Sequence, residues 1–269
     1  MRIVRTVVLA AVTLGLVAAP AAASGRRALP NPLPCAGCWH PGLRTSWQWQ
    51  LQGTIDRSVA AHMYDVDMFE TPASTVRSLH DRGRLVVCYV DAGTWENFRP
   101  DASKFPDSVK GRSNGWPGER WLDIRRLGVL GPILRARVAM CDRKGFDGVE
   151  FDNLDGYAND TGFPLTSADQ LRFDVWLANL AHRHGLSVAL KNDLGQVGRL
   201  LPYFDFSLDE QCFQYHECFK LKPFLAAGKA VFEVEYKLEP PRFCPRANDM
   251  NFNSLKKRRS LKAWRHSCR

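Results

Sequence analysis

The chain has 269 residues, 37 Lys and Arg against 28 Asp and Glu, a net charge of +9, 45% hydrophobic residues and 8 cysteines. That apolar content excludes a disordered chain. The basic residues are scattered arginines plus one late run, Lys256–Arg259, without the interleaved aromatics of a nucleic-acid groove, so a solvated face is expected there. Beyond the first residues no stretch approaches the ~20 apolar residues that span a bilayer.

Arg2 and Arg5, the apolar run Val7–Ala19 and the small residues Ala21-Ala22-Ala23 form a signal peptide over residues 1–23. A leader kept as a membrane anchor is the alternative. Pro30, Pro32 and Pro34 make residues 24–44 an extended lead-in. Residues 45–269 are then enough for one large α/β domain. Export also explains the cysteines, which point to disulfides. Cys212 and Cys218 are close enough to staple one loop, and Cys244 with Cys268 would tie down the tail. Cys35-x-x-Cys38 lacks a second pair for zinc, and Cys88 and Cys141 are expected as buried thiols.

Within that domain, strands and helices alternate. Strands are expected at Trp47–Leu51 and Ala61–Asp67, then a helix from Thr71-Pro72 to His80. Leu85–Asp91 is an apolar strand of the buried parallel kind. A long Gly-, Pro- and Trp-rich loop from Ala92 to about Trp121 precedes a helix over Leu130–Arg143 and a strand from Gly148. The stripe Leu171, Val175, Leu177, Leu180, Ala181 marks a helix over Ser167–His184. Strands follow at Ser187–Asn192, Phe206–Glu210 and Ala230–Tyr236, with a helix over Lys220–Ala227 before the last. A short eighth strand is expected near Ser254–Lys257. This is the pattern of a single-domain α/β fold, a (β/α)8 TIM barrel. An open doubly wound sheet is less well matched, because no Gly-rich phosphate loop follows the first strand.

The chemistry-bearing residues fall at strand ends. In Gly145-Phe-Asp-Gly-Val-Glu-Phe-Asp-Asn153, Glu150 and Asp152 project to one face, and a second acidic strand end is Leu208-Asp-Glu-Gln-Cys212. On a barrel these converge on one rim. Cleaving a glycosidic bond requires two carboxyl groups flanking it, and Asp152 with Glu210, one strand apart, is the best pair. Separations of about 5–5.5 Å mean retention, and about 6.5–9.5 Å inversion. As the acid, Glu210 needs a raised pKa, which partial burial and Asp209 beside it would favour. Acids beside rings suit a sugar. The substrate-binding candidates are Trp47, Asp67, Tyr89, Asp91, Glu150, Asn153, Lys191, Asn192, Glu235 and Tyr236. Metal hydrolysis is not favoured, because the only strand-end histidine, His62, sits too early, and no Gly-x-Ser-x-Gly elbow supports a serine hydrolase. His182 and His184 flank a helix end and read as structural.

Seven ordered blocks carry a wider resemblance: Tyr64–Phe69, Cys88–Gly93, Trp121–Ile124, Gly145–Asn153, Leu190–Asp193, Asp209–Cys212 and Glu235-Tyr236. From about Trp47 to Cys268 the chain resembles glycoside hydrolase family 114, the endo-α-1,4-polygalactosaminidases. The resemblance implies a TIM barrel without metal or organic cofactor that cuts inside α-1,4-linked galactosamine polymers. It assigns Asp152 as nucleophile and Glu210 as acid/base, with retention expected. The family commonly has Pro where Phe151 stands and Asn where Asp209 stands. Asp67, Asp91 and Glu150 would then bind sugar ammonium or hydroxyl groups, and Lys191 and Asn192 would orient Asp152. The expected partner is an amino-sugar polysaccharide, met outside the cell by a monomer, with neither nucleic acid nor membrane involved. Two other readings stand beside this one: an endo-glycosidase for another α-linked amino-sugar polymer, and a non-catalytic polysaccharide-binding barrel.

Overall fold

The computed structural model describes residues 28–269. The signal peptide expected over 1–23 and the first residues of the lead-in lie outside the described residues.

Eight parallel strands form the barrel wall: β1 (Trp47–Gln50), β2 (Met63–Asp67), β3 (Leu85–Asp91), β7 (Gly148–Asp152), β8 (Ser187–Lys191), β9 (Phe206–Glu210), β10 (Val231–Glu235) and β11 (Asn253–Lys257). Between β3 and β7 the chain leaves the wall as a small antiparallel sheet of β4 (Thr94–Glu96), β5 (Lys110–Ser113) and β6 (Glu119–Leu122). That sheet occupies the stretch expected as a long loop. Helices α1 (Ala73–His80), α2 (Leu127–Lys144), α3 (Ser167–Arg183), α4 (Val197–Leu200), α5 (Lys222–Ala226) and α6 (Pro240–Asp249) link the later strands. Thr166 and Asp169 close a capping box at the start of α3. Gly145, at φ 85, ends α2 in the left-handed region where a glycine carries no steric cost, and the chain turns directly into β7.

No helix separates β1 from β2, and β11 is followed by β12 (Arg265–Ser267), which pairs antiparallel with it. This tail bridges the seam to β1. The Leu51 amide donates to the Leu261 carbonyl at 3.0 Å, Gln48 Nε2 donates to Ala263 O at 2.7 Å, and the Arg265 guanidinium donates to Trp47 O. The lead-in lies along α3: the Leu33 amide donates to Asn179 Oδ1, and Tyr203 donates to Pro30 O.

Strand alternation separates two cores. Trp47, Trp49, Met63, Val87, Ala189, Phe206, Leu208, Phe232, Val234 and Leu255 fill the barrel lumen. Tyr64, Val66, Val86, Cys88, Val149, Phe151, Val188 and Leu190 pack outward, with the helices. In the lumen the Trp47 and Phe232 rings lie 5.0 Å apart, and Phe206 meets Phe232 edge-on at 5.6 Å. The same alternation sets the phase of the polar strand ends. Asp65, Asp67, Tyr89, Asp91, Glu150, Asp152, Lys191 and Glu210 share the lumen side. Glu233 and Glu235 fall on the outer side of β10, and Asp209 on the outer side of β9.

Four disulfides join Cys35–Cys38, Cys88–Cys141, Cys212–Cys218 and Cys244–Cys268. The loop staple and the tail tie are as expected. Cys88 and Cys141 are not free thiols: α2 packs across the outer face of β3 and brings them together. That bond closes a span of 53 residues containing the whole small sheet. Replacing both cysteines by serine should lower unfolding free energy by about 2–4 kcal/mol, read from denaturant melts. An unchanged midpoint would mean that the bond does not constrain the chain.

Candidate active site

Lys191 ends β8 on the lumen side and is 1% exposed. An ammonium at that depth requires partners, and three carboxyl groups provide them: Asp152 at 2.7 Å, Glu210 at 3.1 Å and Glu150 at 3.2 Å. The Trp49 ring lies 5.0 Å from Nζ. Because Asp152 Oδ1 and Glu210 Oε2 touch one nitrogen, they are separated by at most the sum of the two contacts, roughly 6 Å.

Asp152 is further held by the Tyr89 hydroxyl, donating to Oδ2 at 2.8 Å, and by the Asn153 amide, donating to Oδ1 at 2.9 Å. Burial alone would raise its pKa. The Lys191 charge and these hydrogen bonds outweigh burial and hold it below the usual carboxylate range, so Asp152 is ionised near neutral pH. Glu210 receives the Tyr236 hydroxyl on Oε1, and its own amide donates to Asn192 Oδ1 at 3.0 Å. Burial pushes the Tyr236 and Tyr89 hydroxyls well above their ordinary pKa, with the neighbouring carboxylates Glu210 and Asp152 adding to it. Both therefore act as donors. Beneath Lys191, Asp65 and Glu150 form a buried carboxyl pair. Burial, then the Glu150 charge, raise Asp65 well above its usual range, and burial raises Glu150 as well.

The backbone is strained at each of these strand ends. Asn153 (φ 61), Asn192 (φ 50) and Gln211 (φ 65) follow Asp152, Lys191 and Glu210 in the left-handed region. The bend at Asn153 brings its carbonyl against Gly93, where a Cβ would lie 1.8 Å from the oxygen. Only glycine fits that approach.

Asp152 and Glu210, 20% and 26% exposed, open onto one cavity of about 580 Å³. Of the expected sugar-binding residues, Asp67, Tyr89, Asn153, Lys191, Asn192 and Tyr236 also line it. Four others do not. Trp47 lies one layer deeper in the lumen, its Nε1 donating to Asn253 O, while Trp49 reaches the cavity. Glu150 is fully buried beneath Lys191. Asp91 is buried and accepts from Thr94 on both oxygens. Glu235 faces the outer layer, where it accepts from the Phe213 and Gln214 amides. Asp67 lines the cavity but is committed to the Phe69 and Glu70 amides and to Arg99. Lys191, expected to orient Asp152, reaches Glu210 as well, and Asn192 contacts Glu210 and not Asp152. Residues the strand-end reading left out come from the small sheet and the loops: Glu119, Asp155 and Arg259.

Asp91, Glu96 and Glu119 each bring one carboxylate oxygen within 4.8 Å of the others, a spacing that suits a cation. All three groups already accept from protein donors, namely Thr94, Arg99 and Asn114. At the end of β8 is another acid pair, Asp193 with Asp174, where Asp193 accepts from the Tyr157 hydroxyl at 3.0 Å. Burial pushes Asp193 up to about 7.

Asp193 generates a pH prediction. Between its ordinary pKa of 3.8 and about 7, the folded chain keeps a proton that the unfolded chain has released. Stability therefore falls as pH rises through that window. In Asp193→Asn this component vanishes, and the stability lost between pH 5 and pH 8 should shrink by about 2–3 kcal/mol. Parallel stability–pH curves for variant and wild type would refute the assignment.

Comparison with known proteins accords with this geometry. The profile of glycoside-hydrolase family GH114 matches residues 32–269. A crystal structure of Aspergillus fumigatus Ega3 in complex with galactosamine superposes with a TM-score of 0.84 at 38% identity, covering 89% of this chain and 100% of that one. The glycoside hydrolase domain of PelA from Pseudomonas aeruginosa shares the fold, with a TM-score of 0.67 at 14% identity over 82% of this chain and 97% of that one. No curated protein sequence matches the chain. The chain belongs to glycoside-hydrolase family GH114 and is a glycoside hydrolase with a (β/α)8 barrel fold.

Proposed function

We propose that this hydrolase cuts inside α-1,4-linked galactosamine polymers with retention, using Asp152 as nucleophile and Glu210 as acid/base. The observation that carries the reading is the shared contact with Lys191, which keeps two carboxyl oxygens within roughly 6 Å on one cavity wall, near the ~5–5.5 Å of retaining pairs.

Asp152 attacks the anomeric carbon as the bond to the departing oxygen breaks, and Glu210 gives that oxygen its proton. A covalent glycosyl ester on Asp152 results. Glu210, now a carboxylate, takes a proton from water, which attacks the same carbon and releases Asp152. The low pKa of Asp152 serves it both as an ionised nucleophile and as a leaving group. Tyr89 and Lys191 hold it in line, while Tyr236 and Asn192 hold Glu210.

Galactosamine substrates are cationic, and the cavity wall meets that need locally although the chain is basic overall. Glu70 and Glu119 line it without a salt-bridge partner among the described residues. Internal cleavage is supported by a second cavity of about 540 Å³, which shares Trp116, Asp155, Asn192, Glu210, Tyr236 and Arg259 with the first and continues the groove past Glu210. The galactosamine bound to Ega3 supports the choice of sugar. The four disulfides support action outside the cell. No helix among the described residues is long and apolar enough to cross a membrane. We infer a monomer working on polysaccharide alone.

Reducing-end release from deacetylated α-1,4-galactosaminan tests this. Asp152→Asn and Glu210→Gln should each lose at least about 10²–10³ in kcat/KM while melting as folded proteins. Release by both variants at the wild-type rate would remove the mechanism.

A further inference from the structure

The basic run Lys256–Arg259 is only in part the solvated face that composition implies. Lys256 and Lys257 are buried, donating to the carbonyls of Leu238 and Lys262. Arg258 lies over Trp264. Arg259 extends over the active-site cleft, its guanidinium carbon 5.6 Å from the Tyr236 ring and 5.9 Å from the Trp116 ring. Tyr236 is the residue whose hydroxyl holds Glu210.

Three cations line the main cavity, and two are neutralised. Lys191 is surrounded by carboxyl groups, and Arg99 pairs with Asp67 and Glu96. Among the described residues Arg259 has no carboxylate partner and makes no side-chain hydrogen bond, so the two ring faces alone hold it. Its N–H donors are free for a ligand.

Arg259 lines both cavities, and the second includes Glu210 but not Asp152 among its walls. If Glu210 protonates the departing oxygen, the second cavity receives the leaving-group part of the polymer. Beyond Asp155 and Glu210, its acids are offset by burial or by pairing. Burial raises Asp209 well above its usual range and Asp193 to about 7, and Glu217 pairs with Lys220. Glu70 and Glu119 line only the other cavity.

On the reading under "Proposed function", we propose that Arg259 makes the sugar position on the leaving-group side selective for a neutral, N-acetylated galactosamine, while the opposite side takes the free amine. An ammonium beneath an unpaired guanidinium is repelled. An acetamido carbonyl instead accepts from the guanidinium, and its methyl group can lie on the Trp116 ring. An anionic sugar would meet Asp155 and Glu210 at the same place, which leaves the neutral acetamide as the matching group.

The test uses partly N-acetylated and fully deacetylated α-1,4-galactosaminan with the wild type, Arg259→Ala and Arg259→Glu. Mass spectrometry of wild-type products should find the new non-reducing ends acetylated and the new reducing ends carrying free amines. Arg259→Glu should shift the kcat/KM ratio toward the deacetylated polymer by about tenfold, and Arg259→Ala by less. Random acetylation of the new ends, or a ratio unchanged in both variants, overturns this inference alone. A wild type that cuts neither polymer overturns it together with the proposed function.

Discussion

Burying the Lys191 ammonium at the end of β8 is unfavourable unless negative groups surround it, and the barrel supplies them from strands on both sides. Asp152 comes from β7 and Glu210 from β9, and the strand between them carries the lysine. Each carboxyl group is attracted to the same nitrogen, so their spacing follows from the placement of a single side chain. The same charge lowers the Asp152 pKa and offsets the crowding of Glu150 and Asp152 on one strand face. Removing the ammonium would leave three carboxyl groups facing one another without a counter-charge.

Much of this was legible in the sequence because it depends on period-2 alternation. Gly148-Val-Glu-Phe-Asp152 places Glu150 and Asp152 together whatever the tertiary structure, and the two acidic strand ends identify the rim. Phase on β10 was not legible. Both faces of a barrel strand are apolar, so Phe232 and Val234 do not reveal by hydrophobicity which face is the lumen, and Glu235 was placed at the rim when it belongs to the outer layer. Trp47 failed for a related reason. It shares a face with Trp49 but lies two residues earlier, one layer deeper, and depth along the barrel axis is not encoded in alternation.

Other features depend on contacts between distant segments. The β4–β6 sheet is built from short strands amid Gly and Pro, whose local pattern reads as a loop. Helix α6 carries Pro240, Pro241 and Pro245, which interrupt the apolar periodicity that would mark a helix. Cys88 and Cys141 lie 53 residues apart and meet only because α2 crosses β3. Arg259 belongs to a run that looks uniformly solvated. Its place over the cleft emerges only once the chain after β11 brings it over Tyr236. The loops and the small sheet thus line the cavity around the strand-end carboxyl groups of the proposed catalytic pair.

The spacing set by Lys191 is tested most directly by the stereochemistry of cleavage. Proton NMR of the first products released from α-1,4-galactosamine oligomers, recorded before mutarotation, reports the new anomeric centre. Carboxyl groups held by one ammonium predict the α anomer first, because two inversions at the same carbon restore the original configuration. Initial appearance of the β anomer would mean direct attack by water between carboxyl groups about 6.5–9.5 Å apart, and would contradict the arrangement around Lys191.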